Sequence, residues 1–363
     1  MSKSRLNILI AGGGTGGHLF PGISIAQEFL KANSNSKILF AGTDRQFEKT
    51  ILQKAGFDHK SIKIAGLKGM GFLKKIKTAI MLPSAVLQSA FIIFRFKADL
   101  IVGVGGYSSG PVALAAWFLR KKIVLHEQNI IPGITNKILT RFADRIYVSF
   151  SETANHFSMT TVKTSGNPVR NEILAIEQQE RKSSAPFTVL VSGGSQGAHN
   201  VNEAVCESLT FLDNKNDYQF IHQTGINDVE MVESTYVKEG VSCTVQPFFD
   251  DMEKQYEKAD LIICRAGATT IAEITAMGHK SILIPFPHAA DNHQEKNGQI
   301  LVNKNAAEMI TEDVLTGKLL ADKIISYSKN PEKLATMGQN SREYGKPKAA
   351  STIVEDCYEL LKG

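Results

Sequence analysis

Apolar residues run along this chain in short continuous blocks of strand length, separated by longer segments with a helical period. In the first half the blocks cover residues 7–11, 37–41, 100–104, 123–126 and 145–149. In the second half they cover residues 188–192, 219–223, 243–246, 261–264 and 281–285. Runs of Val, Ile and Leu without polar alternation belong to strands buried on both faces, the habit of parallel sheets covered by helices. The expected fold class is therefore α/β, with two doubly wound, Rossmann-like parallel-sheet domains. Residues 164–170, where Gly166 and Asn167-Pro168 follow the last block of the first half, interrupt regular structure. They set the expected boundary, with domains at 1–165 and 166–344. A helical period over 349–361 predicts a terminal helix, residues 345–363 packing back on the first domain. The polar run 177–186 reads as a surface excursion.

Two of the blocks run into glycine. Residues 8–21 read ILIAGGGTGGHLFP and residues 189–198 read VLVSGGSQGA. A strand that reverses into a helix within a few residues needs positive φ, which glycine adopts without steric cost. The bare backbone also lets a phosphate reach the exposed helix amides. Gly12, Gly14 and Gly17 fit the dinucleotide fingerprint Gly-x-Gly-x-x-Gly, a weak signal when it stands alone. Two such turns, one in each half, predict two similar domains facing one cleft.

Charge changes the picture more than overall composition does. The 363 residues are 43% hydrophobic and carry a net charge of +5. Residues 1–165 hold 22 basic and 8 acidic side chains, and the remainder hold 19 and 28. That asymmetry points to an anionic partner for the N-terminal half. Between Asp58 and Asp99 stand Lys60, Lys63, Lys68, Lys74, Lys75, Lys77, Arg95 and Lys97, with no acidic residue among them. They bracket an apolar stretch at 80–96 that Pro83, Ser84, Gln88 and Ser89 make too polar for a transmembrane helix. An interfacial helix is expected, with residues 66–96 (Gly66 to Phe96) docking on the anionic cytoplasmic face of a membrane. The protein is then peripheral, and no nucleic-acid partner is expected. Cys206, Cys243, Cys264 and Cys357 are scattered without zinc or disulfide spacing and suit a reducing cytosol. Asn7 interrupts the apolar N-terminus, which reads as a first strand and not as a signal peptide. No Asp-x-Asp pair occurs, so neither a metal nor a cofactor is called for.

Several motifs together carry a resemblance. GGGTGGHLFPG, GVGGYSSGP, HEQN with TNK shortly after, GNPVR, GGSQGA, CRAGATTIAE and PFPHAADNHQ follow one another between residues 8 and 294. In that order they resemble the landmarks of the GT-B glycosyltransferases that add N-acetylglucosamine (GlcNAc) to lipid I in peptidoglycan synthesis. The resemblance implies an inverting, metal-independent transfer from UDP-GlcNAc to the muramyl sugar of an undecaprenyl-diphosphate-linked peptide. It also implies a donor site of Thr15, Gly16, Gly17, Asn129, Arg170, Ser195, Phe249, Ala268, Thr269, Thr270, Ile271, Ala272, Glu273 and Gln294. Acceptor contacts fall to Gly13, Gly14 and Tyr107.

Within that site the residue chemistry suggests roles. Glu273, early in a helix expected to begin near Thr269, suits two vicinal ribose hydroxyls, while Thr269, Thr270 and the first-turn amides suit a diphosphate. Ser195 in the second glycine loop and the forked guanidinium of Arg170 serve the same diphosphate. By carry-over, the Phe249 backbone reads uracil, and Gln294 and Asn129 hold the sugar. Phe249 is aromatic where relatives often carry an aliphatic residue, which leaves the backbone role intact. The attacking hydroxyl needs a base. His18 is the first candidate, because a helix N-terminus disfavours imidazolium and keeps the ring able to accept a proton. Glu127 at a strand end is the second, and His126 beside it points the other way as scaffold. Three other readings stay open: a nicotinamide-dependent oxidoreductase, a non-catalytic sensor of nucleotide sugar, and another UDP-sugar-dependent glycolipid transferase. The oxidoreductase wants an acidic residue closing the second strand, where Ala41-Gly42-Thr43 stands.

Overall fold

A computed structural model describes residues 3–64, 72–158, 161–176, 186–194 and 196–362, with side chains undescribed over 72–80. The chain divides into two compact units, residues 1–170 with 346–363, and residues 171–345.

The first unit is built on seven strands: β1 (Asn7–Ala11), β2 (Lys37–Gly42), β3 (Asp58–Ser61), β4 (Leu100–Gly103), β5 (Lys122–Glu127), β6 (Arg145–Val148) and β7 (Val162–Thr164). Their order is β3-β2-β1-β4-β5-β6-β7, with every neighbouring pair parallel. Alternation along β1 divides the core. Ile8 and Ile10 pack with Leu19, Ile25 and Phe29 of the helix Gly16–Ala32. Leu9 and Ala11 pack with Ile93, Val112 and Ala116 on the other face. Both faces are buried, which is why the strand reads as an unbroken apolar run. Ala11 lies opposite Ala41 and Gly103, so β1, β2 and β4 end level and their loops leave one edge of the sheet.

The terminal helix Ala349–Leu360 belongs to this unit and packs against Gly16–Ala32, where the rings of Phe29 and Tyr358 lie 5.9 Å apart. Arg145 and Lys163 pair with Asp356, which also accepts a 2.8 Å hydrogen bond from the Tyr147 hydroxyl. The chain leaves the unit after Arg170. Residues 165 and 166 stay with it because both amides donate to the Val148 carbonyl, at 3.1 and 3.3 Å. A Cβ on Gly166 would also lie 2.4 Å from that of Lys346.

The second unit repeats the plan with β8 (Phe187–Ser192), β9 (Tyr218–Gln223), β10 (Ser242–Gln246), β11 (Leu261–Cys264), β12 (Ser281–Leu283) and β13 (Glu308–Met309). The order β10-β9-β8-β11-β12-β13 matches the first six strands of the other sheet, again all parallel. Val189, Val191, Phe220 and Ile263 pack one face against Val201, Tyr236, Leu320 and Ile324. The apolar blocks expected from sequence therefore all lie on strands. Strands β3, β7 and β13, whose sequences are DHKS, VKT and EM, had no apolar block to announce them. Most of the polar excursion, residues 177–185, lies outside the described residues.

Candidate active site

In an open parallel sheet, ligands collect beyond the carboxyl ends of the strands where the strand order reverses. In the first unit that point lies between β1 and β4. The loops leaving these two strands touch backbone to backbone: a Cβ on Gly12 would lie 2.5 Å from the Gly105 carbonyl oxygen, and one on Gly106 would lie 2.5 Å from that of Gly13. Such an approach excludes any side chain. The Gly14 amide donates to Glu48 Oε1 at 2.6 Å, and the Thr43 amide and hydroxyl donate to the same carboxylate at 2.9 and 2.6 Å. Arg45 donates to the Gly14 carbonyl at 2.8 Å. Glu48 is fully buried, so the chain supplies its own anion to this part of the loop. Sequence reading missed it, since its only signal was a carboxylate in the first turn of the helix Gln46–Lys54.

Thr15 stands at the N-cap and Gly16 and Gly17 open the helix Gly16–Ala32, which puts His18 in its first turn, half-buried. His18 Nδ1 lies 3.1 Å from Gln128 Oε1. The Gln128 Nε2 group donates to the Val104 carbonyl at 2.9 Å and lies 3.1 Å from His126 Nδ1. His126 Nε2 in turn lies 3.2 Å from the Gly166 carbonyl. His126 is fully buried, and burial pulls its pKa down to about 4, so it is neutral. Glu127 is buried too. Its carboxylate accepts from the Asn129 amide at 3.1 Å, the Gly133 amide at 3.0 Å and Asn136 Nδ2 at 2.8 Å, and so holds the turn at 129–133 in shape. The Asn129 carbonyl accepts from the Thr153 hydroxyl. Tyr107, after β4, is 38% exposed. The Arg170 guanidinium lies 4.6 Å from the centre of the Phe20 ring, two residues beyond His18.

In the second unit the reversal lies between β8 and β11. The glycine loop after β8 packs against the end of β9: a Cβ on Gly197 would lie 2.3 Å from the Thr224 carbonyl oxygen. Ser195 lies outside the described residues. After β11, Gly267 caps the helix Ala268–Met277, so Ala268, Thr269, Thr270 and Ile271 form its first turn, and Ala272 and Glu273 follow. Glu273 is 4% exposed, and the Tyr256 hydroxyl donates to its Oε2 at 3.1 Å. Arg265 pairs with Glu312 and donates to the carbonyls of Ile284 and Pro285, at 3.2 and 3.3 Å. Gln294 Oε1 accepts from the Phe286 amide at 2.9 Å. Gln223, the last residue of β9 and absent from the sequence-based site, donates to the Gly194 carbonyl at 3.1 Å and accepts from the Phe249 amide at 3.0 Å. The Phe249 N–H is therefore already engaged and its ring buried, while the neighbouring Phe248 ring is 42% exposed.

The first unit also carries an apolar surface. Leu87, Phe91 and Phe94 project from the helix Phe72–Phe96, at 72%, 62% and 78% exposure. Trp117 and Phe118 end the adjoining helix Ser109–Phe118, and Ile134 and Ile138 lie one turn apart on Ile134–Leu139, all exposed. Arg95, Lys97, Arg120, Lys137 and Arg141 are exposed around them. Of the expected docking segment, residues 66–71 and the side chains of 72–80 lie outside the description, and the aromatic and basic residues of the two later helices are additions to it. Among the described residues no helix is long and apolar enough to cross a membrane.

The chain matches the glycosyltransferase family 28 N-terminal domain over residues 8–148 and the family's C-terminal domain over residues 188–353. It is 44% identical over 358 residues to the UDP-N-acetylglucosamine--N-acetylmuramyl-(pentapeptide) pyrophosphoryl-undecaprenol N-acetylglucosamine transferase of Syntrophus aciditrophicus, covering 98% of this chain and 99% of that one. The protein of that name from Geobacter sp. (strain M21) is 46% identical over 351 residues, covering 96% and 95%. The crystal structure of Acinetobacter baumannii MurG superposes with a TM-score of 0.77 at 28% identity, covering 98% of this chain and all of that one. A UDP-GlcNAc 2-epimerase from Neisseria meningitidis shares the fold, with a TM-score of 0.70 at 14% identity over 99% of this chain and 100% of that one. With both units matched by its domain models and such identity along nearly the whole length, the chain belongs to glycosyltransferase family 28.

Proposed function

We propose that this chain transfers GlcNAc from UDP-GlcNAc to the muramyl sugar of an undecaprenyl-diphosphate-linked pentapeptide, the reaction its full-length relatives are named for. The observation that carries the donor side is Glu273, a buried carboxylate steadied by Tyr256 just beyond the first turn of a helix that opens at the strand-order reversal. A carboxylate so placed accepts from two vicinal ribose hydroxyls, while Thr269, Thr270 and the positive helix end take the diphosphate, with Ser195 and Arg170. The N–H of Phe249 is held by Gln223, so its carbonyl is left to read the base. Gln294 and Asn129 bind the sugar, with Thr15, Gly16 and Gly17 contributing backbone. Gly13, Gly14 and Tyr107 belong to the acceptor side.

The step is a direct displacement at the anomeric carbon. The acceptor hydroxyl forms the new bond as the bond to UDP breaks, and the hydroxyl proton passes to a base. His18 is that base. Glu127 supports the turn that carries Asn129, its carboxylate being engaged by three donors.

The exposed aromatic and basic surface of the first unit docks on an anionic bilayer, where each cationic side chain near the surface contributes roughly 1 kcal/mol. Replacing Phe91, Phe94 and Phe118 together by Ser is expected to abolish co-sedimentation with anionic vesicles; undiminished binding would place docking elsewhere. The reaction is tested by UDP release with a lipid I analogue and a panel of UDP-sugars. Turnover with UDP-GlcNAc is expected, and its failure would sink the assignment.

A further inference from the structure

The hydrogen bonds behind His18 fix where every proton lies. The Val104 carbonyl only accepts, so the Gln128 atom facing it at 2.9 Å is the NH2 nitrogen. The Gly166 carbonyl also only accepts, so His126 carries its proton on Nε2, and its Nδ1 is a lone pair receiving the second N–H of Gln128. Both donors of Gln128 are then spent, and Oε1 is the atom turned to His18 Nδ1 at 3.1 Å. An amide oxygen accepts only, so Nδ1 of His18 carries the proton and Nε2 holds the lone pair. Which nitrogen of an imidazole is protonated follows from the bond its other nitrogen makes.

We propose that Gln128 is a positioning residue for the transfer. Anchored by Val104, and with its second donor spent on His126, it sets His18 in the Nδ1–H tautomer, so that Nε2 is the atom that takes the acceptor's proton. Gln128 is 2% exposed, so it meets His18 from the buried side. Burial keeps His126 neutral, as this arrangement requires. Gly105 completes the setting, since a Cβ there would lie 2.8 Å from His18 Nδ1. The catalytic part of the inference rests on His18 being the base; the tautomer does not.

Nitrogen-15 NMR of the full chain, labelled at histidine and recorded above the titration range of imidazole, reads the tautomer directly. The His18 signal is identified by its loss in His18→Ala. The wild type is expected to show Nδ1–H at His18. Gln128→Leu is expected to redistribute the proton to Nε2 and to lower kcat on the order of 10²-fold, the scale of general-base catalysis, with the KM for UDP-GlcNAc unchanged. Gln128→Met, closer in length, takes the place of the leucine variant if that one does not fold. An Nε2–H tautomer in the wild type overturns the proposal without any variant. So does a Gln128 variant that keeps the Nδ1–H form, or one that switches tautomer at full kcat. Near-normal turnover in His18→Ala would instead remove the base role, a result the tautomer spectra do not depend on.

Discussion

The two units share a strand order, yet they use their glycine loops differently. In the first, the loop after β1 is locked to the loop after β4 by backbone contact, and the Gly14 amide is taken by the buried carboxylate of Glu48. In the second, the loop after β8 leans on the end of β9, and Gln223 ties it to the segment carrying Phe249. One loop is a rigid platform that holds an imidazole against Gln128. The other leaves a strand paired with β11, which leads into the helix Ala268–Met277. The same strand order thus supports two different loop arrangements, depending on which neighbouring strand the glycine loop packs against.

The sharpest way to break this comparison is to ask whether the units fail in different kinetic constants. His18→Ala should lower kcat by about 10²–10⁴-fold, the range for losing a general base, and leave the KM for UDP-GlcNAc almost unchanged. Steady-state kinetics of UDP release would show this. A rise in donor KM with kcat preserved would mean that the first loop serves the donor.

The complementary variant lies in the second unit. Glu273→Gln keeps the shape but removes the charge that, in the proposed donor site, strengthens hydrogen bonds to the ribose, a difference of about 1 to 1.5 kcal/mol. The KM for UDP-GlcNAc should rise about tenfold with kcat little altered. An unchanged KM would leave Glu273 as a helix-stabilising carboxylate held by Tyr256.

Glu48 tests the platform itself. In Glu48→Ala the Gly14 amide and both Thr43 donors lose their partner in a partly buried place, a loss of up to about 1–3 kcal/mol for each group left unsatisfied. Chemical denaturation is expected to show a destabilisation of that order, with kcat falling as the loop before His18 loosens. Full stability would mean that water replaces the carboxylate.

What sequence could and could not reveal follows one physical rule: a feature is legible when its chemistry repeats or is concentrated along the chain. Central strands such as Asn7–Ala11 and Phe187–Ser192 are buried on both faces and announce themselves as apolar runs. Three of the four edge strands among the described residues, Asp58–Ser61, Val162–Thr164 and Glu308–Met309, have one neighbour each and carry no such run, so nothing marked them, while the fourth, Ser242–Gln246, showed as the short block 243–246. The same holds at the site. Glycine clusters and the helix start around Thr269 were visible because glycine and small polar residues concentrate there. Glu48, Gln223 and Gln128 are ordinary residues whose meaning comes from partners 34, 26 and 110 positions away in sequence. Phe249 and Phe248 are adjacent in sequence, and only the fold shows that the first is buried and the second open.

The smallest expected effect concerns acid stability, where the units again differ. The second unit buries His222 and His279, each pulled down to about 3 by burial, while the first buries His126, pulled down to about 4. His279 is the cleanest probe, because neither ring nitrogen has a hydrogen-bond partner among the described residues and Lys280 and Arg342 further disfavour its charged form. Below about pH 6.5 the unfolded chain takes up a proton at this position that the folded chain refuses. The stability it contributes is therefore complete above that pH and is lost at about 1.4 kcal/mol per pH unit as pH falls toward the folded value. In His279→Leu this loss disappears. Urea midpoints at neutral pH and one unit below the ordinary histidine pKa should fall less in the variant than in the wild type, by the equivalent of about 1.4 kcal/mol. Parallel acid dependence in the two proteins would show that His279 takes up its proton in the folded state as readily as in the unfolded one.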